Sequence, residues 1–254
     1  MNKYSIDFDK KKIVLESKYE ISLHSEEGYE CIRKLWEYTN WANKYSYNFT
    51  WLGRPIIQLP DDMIRIQEII FRVKPTIIIE TGVAHGGSLI YYASLLKMMG
   101  EGSVIGIDID IRSPNKSAIE NHPLSRSITL IEGSSIDTSV IDLVKERIPE
   151  NSVVMVILDS CHSKEHVLAE LELYSSFVTL GSYILVADGI MKDVVDAPNA
   201  QEDWVFNNPQ EAIHEFLVTN KKFKIENWNP IFCESNLHSA PSYYENGFLK
   251  RVSQ

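Results

Sequence analysis

Asp159 and His162 stand three positions apart in Leu158-Asp159-Ser160-Cys161-His162-Ser163, and Asp188 follows in Val186-Ala187-Asp188-Gly189. An apolar run of strand length leads into each stretch, Val153 to Leu158 in the first and Ser182 to Ala187 in the second. Neighbouring strand tips would set the two aspartates on one rim. A pair of carboxylates suits Mg²⁺ or Mn²⁺, with water and substrate hydroxyls completing the shell. An imidazole beside them can take the proton of an acceptor hydroxyl as a general base. Each residue also has a plainer reading. A strand-end aspartate often caps a loop, and a histidine at a helix start often bonds backbone.

A second group reads as a nucleoside-binding rim. Glu80-Thr81-Gly82-Val83-Ala84-His85-Gly86-Gly87-Ser88 joins a strand to a helix through glycines that permit a tight turn, and the helix start offers free N–H groups to an anion. As a dinucleotide fingerprint it is imperfect. Gly82 and Gly87 take the first and third glycine places, but Ala84 takes the second, where a pyrophosphate must approach the backbone. S-adenosylmethionine has no pyrophosphate and ends in a zwitterion. Glu80 would hold its ammonium, while the turn at Gly82 and Gly86, with Ser88, would take its carboxylate. Asp108, in Gly106-Ile107-Asp108-Ile109-Asp110, is placed to accept both ribose hydroxyls of either cofactor. Ser134, Ser135 and Asp137, in Glu132-Gly133-Ser134-Ser135-Ile136-Asp137, would border the adenine, although Asp137 serves equally well as a helix cap.

The elements needed to position these residues alternate along the chain. Asp61 or Asp62 is expected to cap a helix carrying Ile66, Ile69, Ile70 and Val73, stopped by Pro75. Strands are expected at Thr76 to Glu80, Ser103 to Asp108, Ser127 to Ile131, Val153 to Asp159 and Ser182 to Ala187. Helices are expected at Ser88 to Met99, Ile136 to Arg147, and from a cap at Ser163 through Phe177. Asn208, Pro209 and Glu211 open a further helix, and Phe223 to Ile225 and Gly247 to Val252 read as closing strands. The class is therefore α/β: a Rossmann-like, doubly wound, mostly parallel sheet with helices on both faces. Residues 1–55 form an extension in which Ile32, Leu35 and Trp36 have helical spacing and Trp41, Tyr45, Tyr47, Phe49 and Trp51 crowd an aromatic stretch. This extension is expected to act as a lid or oligomer contact over the domain at 56–254, with a homo-oligomer as the expected assembly. One or two of its rings would reach the acceptor pocket. The segment from Gly189 to Asn207, holding Trp204 and Phe206, would close over that pocket as a lid.

Bulk properties narrow the partners. Hydrophobic residues are 44% and charged residues 24% of the 254, ordinary for a folded domain. A net charge of -10 without a basic run argues against nucleic acid. Apolar runs are far short of the roughly 20 residues that span a bilayer, which predicts no membrane insertion. The N-terminus lacks the apolar stretch of a signal peptide, and Cys31, Cys161 and Cys233 fit reduced thiols, so the expected location is cytoplasmic.

From Trp51-Leu52-Gly53-Arg54-Pro55 to its end, the chain resembles the family of rhamnosyl O-methyltransferases and the cephalosporin hydroxylase-type protein, and more distantly macrolide-sugar O-methyltransferases. The likeness is carried by Ile79-Glu80-Thr81-Gly82 with Gly86-Gly87-Ser88, Gly106-Ile107-Asp108-Ile109-Asp110, Glu132-Gly133-Ser134-Ser135, Leu158-Asp159-Ser160 with His162-Ser163, His166-Val167-Leu168 with Glu170-Leu171, and Gly181-Ser182-Tyr183. The resemblance implies a class I methyltransferase fold, S-adenosylmethionine, a divalent metal, and a small-molecule sugar or sugar-nucleotide acceptor methylated on a hydroxyl. It also implies metal binding at Asp159 and the catalytic base at His162. One position departs from the family. Its fifth strand commonly ends Glu-Asp, and here Ala187 precedes Asp188, leaving Asp193 or Asp196 as stand-ins for the missing acid. Two other readings stay open: an NAD-dependent oxidoreductase, and a catalytically degenerate cofactor-binding or assembly protein.

Overall fold

A computed structural model describes residues 4–15, 19–100 and 102–254. Short strands β1 (Tyr4–Asp7), β2 (Lys12–Leu15) and β3 (Glu20–Ser22) form an antiparallel meander that buries Ile13 against Ile21. The extension thus carries strands that its sequence did not announce, because three- and four-residue strands hold too few alternations to read. Helix α1 (Glu26–Ala42) starts at Ser25, whose Oγ accepts from Gly28 N at 3.1 Å. A hairpin of β4 (Phe49–Trp51) and β5 (Arg54–Ile56) follows. Helix α2 (Pro60–Val73) takes Leu59 at its cap position and Pro60 in its first turn, where a missing N–H costs nothing. Neither Asp61 nor Asp62 caps it; the Asp62 carboxylate is instead bonded to Ser242 Oγ and Tyr243 N.

The main domain then alternates β6 (Ile77–Thr81), α3 (Gly87–Met99), β7 (Ser103–Asp108), α4 (Ser113–Glu120), β8 (Ile128–Glu132), α5 (Thr138–Glu146), β9 (Val154–Leu158), α6 (Lys164–Tyr174) and β10 (Tyr183–Val186). Helix α7 (Pro209–Thr219) and strands β11 (Phe223–Ile225) and β12 (Phe248–Arg251) complete it. The seven strands lie in the order β11-β12-β10-β9-β6-β7-β8, parallel except for β12, which runs antiparallel to both β10 and β11. Every residue of β6 and β9 is buried, as expected for central parallel strands covered on both faces.

Alternation along these strands feeds two apolar layers. Ile78, Val104, Met155 and Leu185 pack toward α2 and α3, while Ile77, Ile105, Val156 and Ile184 pack toward α5, α6 and α7. Strand order reverses at β6, whose neighbours are β7 on one side and β9 on the other. A crevice outside the carboxyl ends of β6 and β9 is the ligand position that this topology creates. Most boundaries fall within two residues of expectation. Helix α6 stops at Tyr174 rather than Phe177, and α5 starts at Thr138 because Asp137 caps it, accepting from Ser139 N at 2.8 Å.

Candidate active site

The turn after β6 is held from three directions. Gly82 has φ +91°, and a Cβ there would overlap the Asp159 carbonyl oxygen, so only glycine lets the β6 turn meet the tip of β9. Asp108, at the end of β7, accepts from Val83 N at 2.8 Å and Ala84 N at 3.2 Å through Oδ2, and from Asp110 N at 3.1 Å through Oδ1. Arg54 donates to the His85 carbonyl through Nε at 3.0 Å, and Asn115 donates to the Ala84 carbonyl at 2.8 Å. Gly86, with φ +79°, occupies the cap position of α3. The bracing by Arg54 and Asn115 was invisible in sequence, because 31 positions separate each from its partner. Asp108 was expected to face ribose, and here it is first a brace for the glycine turn.

Glu80 is fully buried on β6. Its Oε2 accepts from Ser88 Oγ at 2.6 Å, while Oε1 has no hydrogen-bond partner. Burial, with a smaller contribution from Asp108, pushes its carboxyl up to about 8, against favourable contacts from Ser88 and Tyr92. Ser88 is thus engaged with Glu80. Ser135 lies with Ser160 on either side of His166, at 3.1 and 3.3 Å from Nε2, and Ser160 Oγ donates to the buried Glu170 at 2.7 Å. Ser134 lies in the turn between β8 and the Asp137 cap, its carbonyl accepting from Asp137 N at 3.0 Å.

Asp159, His162 and Asp188 line one cavity of about 360 Å³ at the strand tips, together with Gly82 and Ala84 from the glycine turn. His162 Nε2 lies 3.2 Å from Asp188 Oδ2. Asp188 sits in left-handed backbone, φ 57°, just past β10, an arrangement costly for a non-glycine residue and frequent where a side chain must be aimed. Asp159 is held well above the usual carboxylate range by burial and then by the charges of Asp188, Glu80 and Glu170. Two facing carboxylates of this kind are what a divalent cation relieves. Among the described residues, no group of three or more His, Cys, Asp or Glu side chains is arranged to hold a metal. A cation here would therefore rest on Asp159 and Asp188, with oxygens from water and the acceptor. Asp193 and Asp196 are exposed and do not line this cavity. Ala187 is 2% exposed and packs in the apolar cluster with Tyr244 and Phe248.

Aromatic rings form the remaining wall. Trp41 of α1 meets Trp204 at 6.0 Å and Tyr243 at 5.3 Å between ring centres, both edge-on. Trp204 stands in a short 3₁₀ turn within the segment expected as a lid, whereas Phe206 is 66% exposed. Tyr243 was missed because it precedes β12 in a stretch with no periodicity. Of the expected helical face of α1, Leu35 and Trp36 remain 49% and 46% exposed. Glu37 and Asn40 are buried instead.

The family model for Rhamnosyl O-methyltransferase/CmcI matches residues 43–252. The chain belongs to this family. Over 157 residues, 60% of the chain, it is 29% identical to the rhamnosyl O-methyltransferase of Mycobacterium tuberculosis. Over 159 residues it is 30% identical to that of Mycobacterium leprae. These matches span 62% and 66% of the relatives' own lengths. A solved structure of CmcI with Mg and SAM shares the fold, with 20% identity and a TM-score of 0.54 over 82% of this chain and 78% of that one. As a family member, the chain has the Rossmann-like class I methyltransferase architecture read from its strand order. No helix among the described residues is long and apolar enough to cross a membrane.

Proposed function

We propose that this protein transfers a methyl group from S-adenosylmethionine to a sugar hydroxyl beside a divalent cation, Mg²⁺ or Mn²⁺. The observation that carries this reading is the convergence of Asp159, His162 and Asp188 with the glycine turn on one cavity. Family membership and the Mg and SAM of the related CmcI structure support it. The fully buried Glu80, with one oxygen unpartnered beside the start of α3, suits the ammonium and carboxylate of an amino-acid group.

Bound there, S-adenosylmethionine supplies an electrophilic methyl group. A cation held by Asp159 and Asp188 supplies positive charge that lowers the pKa of the reacting hydroxyl. The protein's own residues do the rest. The Asp188 carboxylate, 3.2 Å from His162 Nε2, keeps the imidazole beside the cavity, where it takes the hydroxyl proton. Trp41, Trp204 and Tyr243 exclude water from that side. Lys44 is the single Lys or Arg among the lining residues, against two aspartates.

Labelled methyl transfer from S-adenosylmethionine to a panel of free, glycosidic and nucleotide-linked sugars, with and without Mn²⁺, tests the reading. Transfer stimulated by Mn²⁺ is the expected result. Absence of transfer to every sugar, with or without added metal, refutes it.

A further inference from the structure

We propose that Tyr243, with Trp41 and Trp204, forms an acceptor subsite that covers one face of a sugar ring and donates a hydrogen bond to one of its oxygens. This rests on the sugar-methyltransferase reading and adds the group that fixes the sugar's orientation. Tyr243 is 6% exposed, lines the cavity of Asp159 and His162, and its hydroxyl has no hydrogen-bond partner. A buried hydroxyl without a partner is a standing cost that phenylalanine would avoid, so its presence points to a partner arriving with the ligand. The residue is also held firmly. Its N–H donates to buried Asp62 at 2.7 Å, and its carbonyl accepts from Ile190 N at 3.2 Å.

The neighbouring rings supply the complementary half. Trp41 contacts both Tyr243 and Trp204 edge-on, so three distant segments place aromatic surface around one hydroxyl donor. Sugar rings present the same combination, an apolar C–H face rimmed by oxygens, and amphipathic aromatic rings match it. A charged or purely apolar acceptor would leave either the ring faces or the phenol unused.

The test compares wild type with Tyr243→Phe and Trp204→Leu, using methyl α-L-rhamnopyranoside as probe in the presence of adenosylhomocysteine. Binding is read by saturation-transfer NMR and tryptophan fluorescence. Wild type is expected to bind the glycoside; Tyr243→Phe should weaken it about five- to tenfold, and Trp204→Leu about tenfold. Adenosylhomocysteine affinity should not change, and the melting temperature of Tyr243→Phe should equal or exceed wild type, because the lost hydroxyl had no partner. The proposal is overturned if Tyr243→Phe binds the glycoside as wild type does, if its melting temperature falls by several degrees, or if wild type does not bind the glycoside. Glycoside binding that responds to Tyr243→Phe without any methyl transfer would sink the enzymatic reading and leave the subsite standing. Methyl transfer with unaltered binding in the variant would do the reverse.

Discussion

Glu80→Gln should stabilise the protein and weaken its hold on the cofactor at the same time. Glu80 is fully buried, and its carboxyl is pushed up to about 8 from 4.5. Between those two pH values the unfolded chain has released a proton that the folded protein still holds, so stability falls as pH rises through the window. Each unit is worth about 1.4 kcal/mol, which gives roughly 4–5 kcal/mol for a rigid site. Local relaxation absorbs part of that, and about 2–3 kcal/mol is expected in measurement. Glutamine keeps the shape and a group for Ser88 Oγ to bond, but does not titrate. The variant should therefore be more stable than wild type by about 2–3 kcal/mol at pH 8, with the difference vanishing toward pH 4.5. Adenosylhomocysteine should bind it about 10- to 100-fold more weakly, since glutamine cannot give up a proton to become the carboxylate that pairs with the ammonium. Urea unfolding across pH 5 to 8 and calorimetric titration read the two effects. A variant with the wild-type dependence of stability on pH, or with undiminished affinity, refutes the reasoning.

Gly82→Ala puts a methyl group against the Asp159 carbonyl in backbone of φ +91°, so about 3 kcal/mol should be lost, a fall in melting temperature of about 6–12 °C by calorimetry. A melting temperature at the wild-type value would show that the two strand tips are not in contact. His162→Ala should lower methyl-transfer kcat by about 10²- to 10⁴-fold while adenosylhomocysteine affinity holds, and normal turnover would remove His162 as the base. Asp159→Asn should raise the Mn²⁺ concentration needed for half-maximal activity and weaken Mn²⁺ binding followed by electron paramagnetic resonance; an unchanged titration would exclude Asp159 as a ligand.

Much of this site was readable because its residues end apolar runs. The apolar run Val153 to Leu158 reads as a buried strand, which puts Asp159 at its end, and the same argument placed Asp108 and Asp188. What each carboxylate touches was not readable. Asp108 spends its oxygens on Val83, Ala84 and Asp110, Asp62 leaves its helix to hold Ser242 and Tyr243, and Asp188 reaches His162. Polar side chains choose among several reachable donors, and that choice depends on which backbone amides lie unpaired nearby.

Composition, hydrophobic period and turn chemistry determined that this chain would wind a parallel sheet and gather acids, glycines and a histidine along one edge. Those signals are local, set by each residue's fit to strand, helix or turn. Tertiary structure alone decided the aromatic wall of the cavity, where α1, the 3₁₀ turn before α7 and the segment before β12 bring Trp41, Trp204 and Tyr243 together. It also decided that Ala187 enters the core beside Tyr244 while Asp188 faces the cavity. Packing between segments far apart in sequence follows from shape and burial, which no spacing rule along the chain records.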